Sequence, residues 1–202
     1  NNRDLSENTV IHHISSEPDG LHPFNNNSII RSFIFEYTQK TLIKLDHETL
    51  EYIPYLVESM PEISEDGLKY IYKIKDGITW DDGTLFTAKD VVFSVKLMIC
   101  PLTDNAQIRS NYSSVIKSIE TYPNNPLKFT MVAHKKDVSN KTIFSDLYMQ
   151  QKDLWDPKGV LNNVSFEDLL SNRFFKSDKL KDWFNSYNDY DNSYNPEFLV
   201  GL

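Results

Sequence analysis

A single cysteine, Cys100, rules out an internal disulfide, so the fold must rest on a packed core. Its place at a helix end among apolar neighbours points to a buried, inert thiol. Only six glycines occur and none cluster, which excludes a glycine-rich phosphate cradle. No run of 18 apolar residues is present, so nothing reads as a membrane-spanning helix. Basic residues number 21 against 29 acidic ones, a formal net charge of −8, and no basic stripe stands out. Nucleic acid is therefore not expected as a partner. No nucleophile elbow or triad pattern occurs either, and the chain is not read as an enzyme. What is present is 40% hydrophobic and 25% charged residues over 202 positions, enough for a real core.

The richest stretch runs from Asp66 to Met98. In Lys69-Tyr70-Ile71-Tyr72-Lys73-Ile74-Lys75, Tyr70, Tyr72 and Ile74 share one face and lysines dominate the other. That period of two predicts a half-buried strand. Asp76-Gly77 and Asp82-Gly83 supply chain reversals, because Gly tolerates positive φ and Asp bonds its own backbone. Thr87 with Asp90 three residues on predicts a capped helix, which Pro101 stops near Cys100. Trp80 is expected in the core, at the end of a strand.

Trp80-Asp81-Asp82-Gly83-Thr84 followed by Thr87-Ala88-Lys89-Asp90-Val91-Val92-Phe93-Ser94 closely resembles the signature of the family 5 extracytoplasmic solute-binding proteins. These are the oligopeptide, dipeptide and nickel receptors of ABC importers. Glu17-Pro18-Asp19-Gly20-Leu21-His22-Pro23 is similar to the family's opening segment, with His22 where Asp is usual. Pro54-Tyr55-Leu56-Val57-Glu58-Ser59 and Trp155-Asp156-Pro157 also have counterparts in order along the chain. Members of the family run much longer than this chain, whose end at Phe198 to Leu202 resembles the approach to a re-entry into the first lobe. The large C-terminal lobe is expected to lie outside it.

The resemblance implies an α+β (mixed α/β) chain, a periplasmic-binding-protein type II-like lobe with an inserted accessory domain. Residues 1–41 would start the first lobe, 42–162 would form the accessory domain and 163–202 would return toward the first lobe. It also implies capture of a peptide or other small solute in the periplasm or at the cell surface. Delivery would be to membrane permease subunits of an ABC importer, by a monomeric receptor without a cofactor. Because export is implied and the chain opens on Asn1-Asn2-Arg3-Asp4, a removed signal or lipoprotein leader is expected. Alternatives are a nickel, haem or sugar receptor of the same family, a histidine-based hydrolase, and an interaction module that binds no solute.

A coarse pass predicts a buried strand over Thr9 to Ile14 and a helix over Ile29 to Tyr37. Short strands follow from Leu42 to Ile74, then a polar loop from Thr103 to Asn111. A strand pair joined at Pro123-Asn124-Asn125 and a helix from Thr142 to Met149 come next. Beyond Pro157 the chain reads as less ordered, with short helices at Phe166 to Leu170 and Leu180 to Tyr187. His12 and His13 would lie on opposite strand faces and cannot share one ion. The Asp76–Asp82 turn does not have the ligand count of a calcium loop, so no metal is expected. A peptide receptor must satisfy its ligand's backbone groups, since each one buried unpaired costs about 1–3 kcal/mol. Asn25, Asn26, Asn27 and Ser28 are suited to that task and lie where the resemblance places a ligand loop. Arg109, Asn111 and Tyr112 are the second candidate set, where family members point side chains at the ligand.

Overall fold

The computed structural model describes residues 11, 13–18, 20–24, 29–145, 147–171, 177–189 and 198–199. Its centre is a four-stranded antiparallel sheet made of β3 (Glu62–Ile63), β4 (Lys69–Lys73), β6 (Ile116–Tyr122) and β7 (Asn125–Ala133). The strand order is β3-β4-β7-β6, with Tyr70 opposite Met131 and Tyr72 opposite Phe129. The lysine face of β4 is exposed and the tyrosine face is buried, as the alternation demands. Tyr72 and Phe129 stack at 5.2 Å, and Tyr70 meets Phe144 edge-on at 4.9 Å. Such rings contribute about 1.5–3 kcal/mol apiece through burial.

Helix α2 (Ala88–Ile99) lies against this sheet, and all but Lys89 and Val92 of its residues are buried. It ends at Cys100, which donates its N–H to the Lys96 carbonyl before Pro101. The thiol is fully buried, and desolvation pushes it up to about 12, so it stays protonated and inert. Trp80 closes the short strand β5 (Thr79–Trp80) deep in the core, edge-on to Phe86 at 5.7 Å. Gly77 and Gly83 take φ of +74° and +82°, which places both Asp-Gly turns in the left-handed region that glycine favours. The other end of the chain pairs here, since β8 (Phe198–Leu199) runs antiparallel to β5.

Three expectations need correction. The polar stretch after Thr103 is not a loop throughout but contains helix α3 (Ala106–Ser113). Asn105 caps it by accepting the Ile108 N–H at 3.0 Å, and Ile108 and Tyr112, four residues apart, rest on the core. The helix expected over Thr142 to Met149 occurs as α4 (Asn140–Ser145), two residues earlier at its start, and Leu147 and Met149 are buried outside it. The described part of the proposed N-terminal strand forms no strand, with Ile11 and His13 exposed and Ile14 half-buried; Thr9, Val10 and His12 lie outside the described residues. No described strand runs beside it, and an unpaired strand leaves its backbone groups to water.

The region beyond Pro157 is better anchored than its composition suggests. Helices α6 (Phe166–Ser171) and α7 (Asp178–Asn188) bury Leu169, Leu180, Phe184 and Tyr187. Trp183 stacks on Tyr187 at 5.3 Å and meets Phe93 of α2 edge-on at 6.2 Å. Aromatic side chains spaced three and four apart on α7 give it a hydrophobic stripe despite its polar surface.

Candidate functional site

Helix α1 (Ile29–Thr38) and the hairpin of β1 (Ile43–Leu45) with β2 (Tyr52–Pro54) wall a groove of about 740 Å³. That volume is within the range of about 300–1,000 Å³ usual for small-molecule sites. Phe35, Tyr55 and Tyr148 supply ring surface, with Phe35 and Tyr148 edge-on at 5.6 Å. Lys44 places its ammonium 4.5 Å above the Tyr55 ring centre, and Lys40 stands 5.4 Å from it. Ser32, Gln39 and Thr142 add neutral hydrogen-bonding groups, and Glu36 and Asp46 add negative charge. Asp46 accepts the N–H groups of Glu48 and Thr49 in the hairpin turn, which holds its carboxyl below the ordinary range. The groove can stack rings and exchange hydrogen bonds with a polar solute.

Asn25, Asn26, Asn27 and Ser28 lie outside the described residues. The helix they lead into, α1, carries one wall of this groove. Arg109, Asn111 and Tyr112 all sit on α3 but do not converge. Arg109 is half-buried, donates to the Thr103 carbonyl, and faces a separate cavity of about 540 Å³ with His134 and Leu170. Asn111 is exposed and accepts from Gln107 Nε2 at 2.9 Å. Tyr112 packs partly against the core. Sequence reasoning passed over Tyr55, Tyr148 and Lys44. The only signal for Tyr55 is an aromatic in the Pro54–Ser59 segment, and Tyr148 falls within the helix expected over Thr142 to Met149.

Among the described residues the histidines fall in different places, with His47 on the groove and His134 on the cavity beside α3. His22 is 3% exposed, and its Nδ1 accepts the Phe24 N–H at 3.1 Å. The ring proton is thereby assigned to Nε2, which donates to the Tyr187 carbonyl at 2.8 Å. Desolvation lowers its pKa, so the neutral ring acts as a clasp between residues 20–24 and α7. His13 is exposed, and His12 lies outside the described residues. Among the described residues, no group of three or more His, Cys, Asp or Glu could hold a metal ion.

The signature at the start of α2 is a structural junction. Asp90 Oδ2 accepts the Thr87 N–H at 2.9 Å and Oδ1 accepts the Lys152 N–H at 3.0 Å, joining the helix to α5 (Lys152–Trp155). Asp82 accepts from Thr84 on one oxygen and from Gln151 Nε2 on the other, which ties the acidic turn to the same segment. Thr87 is extended, as an N-cap should be, and its hydroxyl leans on Asp90 at 3.4 Å.

Residues 51–195 match the family described as bacterial extracellular solute-binding proteins, family 5 Middle. The oligopeptide-binding protein AppA of Bacillus subtilis (strain 168) is 27% identical over 187 residues, which cover 89% of this chain. The chain spans about 30% of the length of that curated relative. The solved structure of AppA in complex with a nonapeptide aligns with a TM-score of 0.60 at 26% identity, covering 78% of this chain and 29% of that one. The structure of NikZ from Campylobacter jejuni in complex with Ni(L-His) aligns with a TM-score of 0.55 at 25% identity, covering 73% and 27%.

Proposed function

Because this chain belongs to the bacterial extracellular solute-binding proteins, family 5, we propose that it forms part of a receptor that captures peptides or peptide-like solutes outside the cytoplasm. The receptor hands them to the permease subunits of an ABC importer. The observation that carries this reading is the likeness, in sequence and in fold, to a protein whose structure holds a nonapeptide. The role is binding, without chemistry on the solute. Capture would proceed by closure of two lobes about a hinge, with transport energy supplied by a separate ATPase.

Within this chain, the solute-facing surface is assigned to the groove beside α1 together with Asn25 to Ser28, which enter that helix. Short amides and main-chain groups suit an extended peptide, since they pair with its backbone whatever its side chains are. Residues 42–162 are read as the accessory domain, and the segments around it as two ends of the first lobe. Arg109, Asn111 and Tyr112 are a second contact set on α3.

A nickel–histidine solute is the second reading, favoured by the likeness to NikZ. Native mass spectrometry of the full-length protein from its host separates the two. A co-purified peptide mixture supports the first reading and a nickel adduct the second. If nothing co-purifies, and neither peptides nor Ni(L-His) give heat on titration, both readings fall.

A further inference from the structure

Three elements grip the segment of residues 20–24, and His22 is at the centre of that grip. Its buried ring lies edge-on to Tyr187 of α7, with centroids 4.8 Å apart. Nε2 donates to the Tyr187 carbonyl and Nδ1 accepts the Phe24 N–H, so each nitrogen has a fixed role. Asn105, the cap of α3, donates from Nδ2 to the Phe24 carbonyl. Arg31 of α1 donates from one nitrogen to the carbonyls of His22 and Pro23, at 3.1 and 2.6 Å.

Arg31 carries this grip to the groove. It is buried, and its guanidinium carbon stands 5.0 Å from the centre of the Phe35 ring. Phe35 lines the groove and meets Tyr148 there. Contacts therefore run without a break from Tyr187 through His22 and Arg31 to Phe35.

The His22 site is built for a neutral ring. A proton on Nδ1 would point at the Phe24 N–H, 3.1 Å away, and set two donors face to face. It would also place positive charge beside Arg31, which is buried, whereas the opposing Asp104 is exposed to water. The Tyr187 phenol, fully desolvated, stays neutral and offers no countercharge. A charged ring regains solvation by leaving this pocket. Leaving breaks the bond to Tyr187 and shifts the two carbonyls that hold Arg31.

We propose that His22 is a proton switch for the groove beside α1. The neutral ring locks residues 20–24 to α7 and keeps Arg31 and Phe35 in place. Protonation releases the segment and loosens the groove wall, so solute is held near neutral pH and let go in acid. This inference rests on the receptor reading, which assigns the solute to that groove.

The test is an NMR titration of the full-length protein from pH 7.5 to pH 5, with isotope-labelled histidine rings and phenylalanine amides. The amide signals of Phe24 and Phe35 should move with the midpoint of the His22 ring, below the ordinary value of about 6.5, while Phe93 of α2 stays still. In His22→Gln the Phe35 movement should vanish. Arg31→Gln keeps a donor for the two carbonyls and removes the charge, so it should raise the His22 midpoint. Calorimetry with an equimolar pool of synthetic nonapeptides should show affinity falling threefold or more between the two pH values, in the wild type but not in His22→Gln. A His22 ring that stays neutral down to pH 5, or that titrates while Phe35 is still, overturns the proposal. So does a Phe35 movement that persists in folded His22→Gln, or peptide affinity that is independent of pH. If His22→Gln does not fold, the wild-type midpoints and folded Arg31→Gln decide. If the pool binds at neither pH, the receptor reading of the groove falls, and the Phe35 signal alone decides whether the switch exists.

Discussion

Helices α2 and α3 follow one another with six residues between them, yet they are built on different principles. In α2 ten of twelve residues are buried, among them Asp90, Ser94 and Lys96, each with a hydrogen-bonded partner. In α3 none of the eight residues is fully buried. The first helix is fixed by what surrounds it, so its sequence is tightly constrained and its pattern is easy to read. The second is fixed by one cap and two apolar side chains, which leaves most of its surface open for other work.

The sharpest way to break this contrast is to cut both cores. Leu97→Ala in α2 removes a fully buried side chain and should cost about 2–5 kcal/mol. Ile108→Ala in α3 removes a partly buried one and should cost about 1 kcal/mol. Urea unfolding of both variants checks the ratio. Equal costs would mean that α3 is as much a part of the core as α2.

The caps should differ in the same direction. Asp90→Ala strands the N–H groups of Thr87 and Lys152 at once and is expected to cost about 2–3 kcal/mol. Asn105→Ala loses the cap on Ile108 and the donor to the Phe24 carbonyl, for about 1–2 kcal/mol. Thr87→Ala, which keeps the Asp90 carboxylate bridge to both N–H groups, should fall below both. If Thr87→Ala proved the most damaging, the junction would be a simple hydroxyl cap and not a carboxylate bridge.

This difference also explains what could be read from the chain. The strand of β4, both Asp-Gly turns and the limits of α2 were legible because alternation, glycine and proline act locally. The burial of Trp80 and Cys100 was legible for the same reason. Helix α3 was missed because Ala106 to Ser113 is polar, and its cap, Asn105, looks like one more loop residue. The anchoring of α7 was underestimated because Trp183 and Tyr187 find partners far away in sequence, at Phe93 and at His22. The groove beside α1 was invisible for a related reason. It is assembled from Phe35, Tyr55 and Tyr148, which no local pattern links. A site made from three distant segments has no period to detect.

A smaller effect, readable only through pH, tests the clasp between the early segment and α7. The pKa of His22 is lowered in the folded protein, chiefly by desolvation, with Arg31 and Asp104 as the charged neighbours. The unfolded chain, with an ordinary value near 6.5, therefore binds more protons just below that pH. The stabilising share of the neutral ring is complete above about 6.5 and is lost as pH falls toward the folded value. In thermal scans from pH 8 to pH 5, the protein should lose stability more steeply than His22→Gln over that window. Parallel curves would remove His22 as the source.

The smallest structural effect should come with a functional one, and it bears on the purpose of α3. Asn111 is exposed, and its side chain holds only the Gln107 amide, one turn away. Asn111→Ala should therefore move stability by no more than about 0.5 kcal/mol. If the free face of α3 meets the solute in the complete receptor, the same change should weaken peptide affinity by about 0.5–1.5 kcal/mol, the usual worth of one hydrogen bond. Paired measurements of unfolding midpoint and calorimetric affinity on the full-length protein separate these quantities. A drop in affinity at constant stability would give the open helix its function and make the contrast with α2 one of division of labour. No change in either would mean that α3 is open because nothing covers it. The contact surface of this chain would then reduce to the groove beside α1.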